Sequence, residues 1–144
     1  MTPFILMIAL AVHAVFEGLA LGLTAELKDT INITIAILIH KGAAGSSLGI
    51  SLVKTFPNDF KLCRWLVFIF AIASPLGVAI GMILKDYAGE MVQIVFTCLA
   101  AGSFVYIGCS EIIVEEFSIP GNRLLKLFFF LLGAAIITCL WFLD

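Results

Sequence analysis

The amino-acid sequence predicts an all-α integral membrane protein, a bundle of five transmembrane helices with short loops. Of its 144 residues, 62% are hydrophobic and only 12% are charged, and the mean hydropathy is +1.19. Soluble domains are typically about half apolar and a quarter charged. The apolar residues form five runs of roughly 20 residues, the length at which a helix crosses about 30 Å of hydrocarbon. Membrane-spanning β-strands would be about half as long and would alternate polar with apolar residues.

The five predicted spans cover residues of about 3–27, 31–55, 64–85, 90–112 and 122–143, within one polytopic membrane domain over residues 1–144. Short polar segments separate the spans, and connections of this kind make consecutive helices antiparallel. The first run lacks the basic start of a signal peptide and is longer than a signal peptide's apolar region. It is therefore predicted to remain as a span.

Basic residues predict the orientation of the bundle. The second and fourth loops, with the start of the last span, contain Lys54, Lys61, Arg64, Arg123 and Lys126, whereas the loops on the other side contain Lys28 and Lys85. Because basic residues concentrate in cytoplasmic loops, the N-terminus is predicted to be cytoplasmic and the C-terminus extracytoplasmic, in a plasma or an organelle membrane. A net charge of -2 without a basic face offers no surface for nucleic acid.

Three successive spans contain a GxxxG motif: Gly18-Gly22 in the first, Gly45-Gly49 in the second and Gly77-Gly81 in the third. Glycines four residues apart form a smooth helical face that lets two backbones approach closely in lipid. The six glycines are therefore predicted to serve helix packing in a compact bundle. The alternative is that they only make the helices locally flexible.

Four ionisable residues lie well inside the first two spans, away from their ends. His13 and Glu17 belong to the stretch HAVFEGLALGL, and His40-Lys41 lies in the middle of the second run. Each such group at membrane depth costs roughly 2.5–3.5 kcal/mol, so a sequence seldom carries several without a use. Residues four apart share one helical face. A helix rises about 1.5 Å per residue, so the distance of each residue from the middle of its span can be counted. Because the two spans are antiparallel, this count places His40 at the same depth in the membrane as His13 and Glu17.

Two imidazoles and one carboxylate are suitable ligands for Zn²⁺ and for other first-row divalent ions, so His13, Glu17 and His40 are predicted to form a metal site. Lys41 is predicted to compensate charge beside it. Because the site binds metal with neutral histidines and an ionised glutamate, its affinity should fall as the pH drops. No nucleophile–base arrangement and no HExxH motif is present, so neither an enzyme nor a prosthetic group is expected.

A second interpretation of the same residues is structural. Glu17 and Lys41 could form a buried ion pair that neutralises both charges, with His13 and His40 hydrogen-bonded nearby or relaying protons. The chain would then be a non-transporting membrane scaffold or a partner subunit. Spacing alone leaves the metal site and the ion pair both open.

Four segments resemble one family of membrane proteins. HAVFEGLALGL (13–23) resembles the fourth-span signature of ZIP-family zinc transporters, in the branch where HSVFEGLAxGL is usual. HKGAAGSSLGISL (40–52) is similar to that branch's fifth span, and SPLGVAIGM (74–82) and GSFVYIGCSEI (102–112) are similar to its sixth and seventh. The final run fits an eighth. The chain thus resembles spans four to eight of an eight-span transporter.

The resemblance implies transmembrane transport of zinc, or of another divalent cation, toward the cytoplasm. It places His13, Glu17 and His40 at metal-ligand positions of a site near the midplane, and the family's outside C-terminus agrees with the loop charges. It further implies a single metal ion, because four positions lack the ligands that complete a two-metal centre in some relatives. Those positions are Ala14, Lys41, Ala44 and Ser74.

The family's first three spans have no counterpart in these 144 residues. The expectation is therefore that the chain is the C-terminal part of a longer transporter, or that an equivalent partner supplies the missing wall. Truncation is favoured, because a cavity lacking one wall would expose His13 and Glu17 to lipid. Related transporters also suggest a homodimer within the bilayer.

Overall fold

The computed structural model describes residues 3–140, apart from the side chains of Glu111, Glu115, Ile137 and Leu140. Within this range the chain is helical and contains no strand. The elements are α1 (Pro3–Leu23), α2 (Leu27–Thr55), α3 (Phe60–Leu84), α4 (Glu90–Tyr106), a π-helix (Ile107–Ile113), α5 (Val114–Ser118) and α6 (Arg123–Leu140).

Four described helices are long and apolar enough to cross a membrane, which confirms an all-α membrane protein. They are Pro3–Leu23, Leu27–Thr55, Phe60–Leu84 and Glu90–Ser110. The fifth predicted span coincides with α6, a helix of 18 residues, and its predicted end at 141–143 lies outside the described residues.

Helix ends depart from the predicted spans where polar residues support or break a helix. Helix α1 ends at Leu23 instead of residue 27. Helix α2 already begins at Leu27, because Leu27 and Lys28 are good helix formers and the Asp29 carboxylate interacts favourably with the helix N-terminus. Helix α3 begins before the predicted residue 64, because the Asp59 side chain accepts a hydrogen bond from the Leu62 amide at 3.1 Å and caps the helix.

Helix α1 lies at the centre of the molecule, packed most extensively against α3 and also against α4 and α2. The buried apolar cluster follows from this position. It consists of Leu6, Leu10 and Ala14 from α1, Leu48 and Leu52 from α2, Cys63, Leu66, Phe70 and Ala73 from α3, and Ile107 at the start of the π-helix. Polar side chains in the middle of the central helix can therefore be buried by the neighbouring helices, as His13 and Glu17 are.

The tightest helix contact joins the glycines of α1 to those of α3. A Cβ atom built on Gly77 would lie 2.5 Å from the Val15 carbonyl oxygen and 3.0 Å from the Gly18 Cα. One built on Gly81 would lie 2.7 Å from the Leu19 carbonyl oxygen. Since the order of contacts is the same along both helices, α1 and α3 run parallel, with backbone against backbone.

The α2 glycines lie elsewhere. A Cβ atom on Gly49 would meet no heavy atom within 4 Å, and one on Gly45 would meet only the Phe70 ring, at 3.6 Å. In the part of the chain that the structure describes, the GxxxG motif of α2 is therefore not at a close helix contact. Helix α2 is instead largely exposed, with Ile37, Leu48 and Leu52 as its buried residues.

Helix α4 runs antiparallel to α1 and faces it along one side. Its partly buried residues recur every three or four positions, as expected for one face of a helix; they are Gln93, Phe96, Ala100 and Ser103. The Gln93 amide donates to the Thr24 hydroxyl at 3.4 Å, and the Phe96 ring lies 6.2 Å from the Phe16 ring. This contact places Ala100 and Ser103 beside the middle of α1.

Candidate metal centre

Three side chains predicted as metal ligands meet between α1 and α2. The candidate ligand atoms of His13, Glu17 and His40 all lie within 4.8 Å of one another. His13 Nε2 is 3.8 Å from Glu17 Oε1, and His40 Nε2 hydrogen-bonds to the same carboxylate oxygen. His13 and Glu17 are buried, with 6% and 8% of their surface exposed, and His40 is partly buried. The cluster is thus covered on the α1 side and more open at His40.

Local sequence explains how this cluster forms. His13 and Glu17 stand four residues apart on α1, so their side chains occupy adjacent positions on one helical face. Only a short break separates α1 from α2, so α2 runs antiparallel to α1. His40, in the middle of α2, therefore lies at the height of His13 and Glu17. A buried carboxylate is costly without hydrogen-bond or metal partners. His40 supplies one such partner through its Nε2 atom.

Helix α4 contacts the His13 ring at Nδ1, the ring nitrogen that does not face Glu17. Its Nδ1 atom lies 3.0 Å from the Ala100 carbonyl oxygen and 3.1 Å from Ser103 Oγ. Because a carbonyl can only accept, Nδ1 carries the proton and Nε2 keeps a lone pair. Nε2 is buried without a hydrogen-bond partner among the described residues, and it faces Glu17. An unprotonated imidazole nitrogen next to a carboxylate can bind a metal ion together with it.

Sequence reasoning missed Ala100, Ser103 and a third residue of α4, Phe104. The Phe104 ring centroid lies 5.4 Å from that of His13 and 5.3 Å from that of His40, so one aromatic ring contacts both imidazoles. A signal for Ser103 was present, since it is a polar residue in the middle of an apolar run. No sequence signal distinguishes Phe104 from the other phenylalanines.

Lys41 lies beside the cluster but points to α3. Its Nζ atom donates to Ser74 Oγ at 2.6 Å and to the Ala71 carbonyl oxygen at 3.3 Å, and it lies 5.2 Å from the centre of the Phe70 ring. Pro75 has no amide proton to give to Ala71, four residues earlier, so that carbonyl is free to accept from Lys41. Within the described residues, Lys41 forms no ion pair with Glu17.

The donor set suits a divalent transition metal. Imidazole nitrogens and a carboxylate oxygen are typical Zn²⁺ ligands, and a site with three protein ligands keeps a position for water or for a fourth group. The chemistry fits a cation that binds and leaves, because a fully closed structural site would have four protein ligands. No covalent or redox chemistry follows from these side chains.

Comparisons with known proteins show the family to which the chain belongs. The family model described as ZIP Zinc transporter matches residues 1–140. Zinc transporter ZIP1 of Takifugu rubripes is 39% identical over 98% of this chain and 47% of its own length, and that of Danio rerio is 40% identical over the same shares. Zinc transporter ZIP1 of Homo sapiens is 34% identical over 97% of this chain and 44% of its own length.

The chain spans about half the length of these curated relatives. No solved structure matches it. All three relatives are named as transporters, in agreement with the expectation that the chain is not an enzyme. With a family model that covers nearly every residue and relatives of this similarity, the chain belongs to the ZIP family of zinc transporters.

Proposed function

We propose that the chain binds Zn²⁺ at His13, Glu17 and His40 and passes it across the membrane toward the cytoplasm, with zinc as the transported substrate. The observation that carries this proposal is the buried, unpaired Nε2 of His13 facing the Glu17 carboxylate. A packing histidine would have both ring nitrogens satisfied. The family and the names of the relatives support zinc as the ion.

The position of the site supports transport near the middle of the bilayer. His13 is the central residue of α1, halfway between Pro3 and Leu23, and His40 lies close to the middle of α2. A cation held at that depth must be exposed to the two sides in turn. Because α1 and α3 are in backbone contact, we propose that they move as one unit and carry His13 and Glu17 with them.

The proposed function also includes an orientation of the chain in the membrane and partners that cover its exposed apolar surface. The basic residues at the helix ends that flank the second and fourth loops support a cytoplasmic N-terminus and an extracytoplasmic C-terminus. The relatives are about twice as long as this chain, and the described part of α2 exposes an apolar surface that includes Leu38 and Ile39, next to His40. We propose that three further spans, or an equivalent partner, cover this surface, and that the assembly is a homodimer.

Uptake of radioactive zinc tests the function. Cells expressing the protein should accumulate more zinc than cells without it, and Glu17→Ala should reduce accumulation to that background, because it removes the carboxylate shared by both histidines. Glu26→Ala is the matched control, since Glu26 is exposed in the break between α1 and α2. Zinc binding to the purified proteins is measured in parallel. Undiminished uptake by Glu17→Ala, at equal membrane expression, contradicts the assignment.

A further inference from the structure

We propose that Ser103, together with the Ala100 carbonyl, is a positioning group that holds His13 in one tautomer and one orientation for the metal. The proposal deepens the function proposed above and rests on it for the identity of the bound ion. Its structural part concerns the metal-free protein and stands on the contacts between α1 and α4. Both groups lie at His13 Nδ1, whereas the Glu17 carboxylate lies at Nε2.

The hydrogen bonds between the two helices have one consistent direction. Ser103 Oγ donates its proton to the Ala100 carbonyl oxygen at 3.0 Å, so its lone pairs are free to accept. His13 Nδ1 lies 3.0 Å from that carbonyl oxygen and 3.1 Å from the hydroxyl oxygen, and its single proton is shared between them. In the opposite tautomer the Nδ1 lone pair would face the Ala100 carbonyl oxygen, which has no proton to donate.

The tautomer decides whether His13 can bind a metal. A neutral imidazole has one protonated and one free nitrogen, and only the Nδ1–H form leaves Nε2 free to face Glu17. A partner for the second nitrogen also fixes the plane of the ring and raises the basicity of the ligating nitrogen. Here the Phe104 ring closes another side of the imidazole, so a rotated ring has little room.

Helix α4 therefore acts on the site through the hydrogen bonds at His13 Nδ1. Its register beside α1 is held by the Gln93–Thr24 hydrogen bond and by the contact of the Phe96 and Phe16 rings. A displacement of α4 away from α1 would remove both acceptors from His13 Nδ1 together. The affinity of the metal site is thus coupled to the α1–α4 contact.

Three variants on α4 test this role. Ser103→Ala removes the hydroxyl but keeps the Ala100 carbonyl. Ser103→Thr restores a hydroxyl that can bond to a carbonyl three or four residues earlier, as threonine does in helices. Thr97→Ala is the matched control, because Thr97 makes the same kind of bond, to the Gln93 carbonyl at 2.9 Å, on the exposed face of α4.

The first measurement is nitrogen-15 NMR of the metal-free chain with labelled histidine, in lipid. The chain contains 2 histidines, so His40→Gln assigns both rings. We expect His13 to show a protonated Nδ1 and a free Nε2. Ser103→Ala should add a signal from the opposite tautomer, whereas Ser103→Thr and Thr97→Ala should keep the pattern of the unmodified chain.

The second measurement is zinc affinity, by titration of the same proteins. Removing a hydrogen-bond partner of a metal-binding histidine typically lowers affinity about 10- to 100-fold, and we expect about tenfold for Ser103→Ala because the carbonyl remains. Ser103→Thr should recover most of the loss. A free Nδ1 in the metal-free chain, or a Ser103→Ala protein that matches Thr97→Ala in both measurements, overturns the proposal.

The two proposals fail separately. If Glu17→Ala abolishes zinc binding while Ser103→Ala changes neither measurement, the metal site stands and the positioning role of Ser103 falls. If the unmodified chain shows the expected tautomer but binds no zinc, the α4 contact stands and the proposed function falls.

Discussion

Replacement of Gly77 by alanine should destabilise the protein and weaken its metal site. The new Cβ atom would lie 2.5 Å from the Val15 carbonyl oxygen and 3.0 Å from the Gly18 Cα. Both are backbone atoms, so no side-chain rotation relieves the overlap and α1 must move away from α3. Overpacking of this kind costs typically about 1–3 kcal/mol. Thermal unfolding in lipid, followed by circular dichroism, measures it.

The matched control is Gly49→Ala, in the GxxxG motif of α2. A Cβ atom there meets nothing within 4 Å, so the substitution should stabilise the helix by roughly 0.5–1 kcal/mol, the usual gain of alanine over glycine. The two variants should therefore shift the unfolding temperature in opposite directions. Zinc affinity should fall in Gly77→Ala alone, because Gly18 adjoins Glu17 in α1. Equal stability of the two variants would contradict a backbone contact at Gly77.

Replacement of Lys41 by methionine should raise the affinity for zinc about tenfold or more, with the fold retained. The ammonium group lies beside the cluster and repels a divalent cation, and methionine fills similar space without charge. The lost hydrogen bonds run to Ser74 and Ala71 on α3, not to Glu17. Zinc titration and thermal unfolding of the purified protein measure the two effects, with Lys54→Met at the end of α2 as the control.

The same variant separates transport from the scaffold interpretation. If Glu17 and Lys41 were a structural ion pair, Lys41→Met would leave a buried carboxylate unpaired, a loss of about 3–5 kcal/mol. It would also give no gain in zinc affinity. Severe destabilisation without tighter zinc binding would therefore refute the metal site and favour the structural pair.

The sequence predicted the class of protein and the three side chains that the structure brings together, because both depend on local patterns. Apolar runs of fixed length define membrane helices, and His13 and Glu17 share a helical face whatever surrounds them. The height of His40 followed from the antiparallel path of the chain. The family followed from the same motifs, which combine charged residues with glycines in a fixed order.

Partners across helices could not be predicted in the same way. Three GxxxG motifs looked equivalent, yet Gly18 and Gly22 pack against Gly77 and Gly81, while the α2 glycines have space around them. A motif describes one surface and carries no information about which surface it meets. The same is true of Lys41, whose position in the sequence does not identify its hydrogen-bond partner. It bonds to the Ala71 carbonyl of α3, which is free to accept because Pro75 has no amide proton.

By itself, the sequence determined that this is a helical membrane protein with two histidines and a glutamate at one depth, since helical period and run length are local properties. Only the tertiary structure decided that α1 is the central helix, that α4 places the Ala100 carbonyl and the Ser103 hydroxyl against His13 Nδ1, and that Lys41 bonds to α3. These features arise from contacts between residues far apart in the chain, whose geometry exists only once the helices have packed.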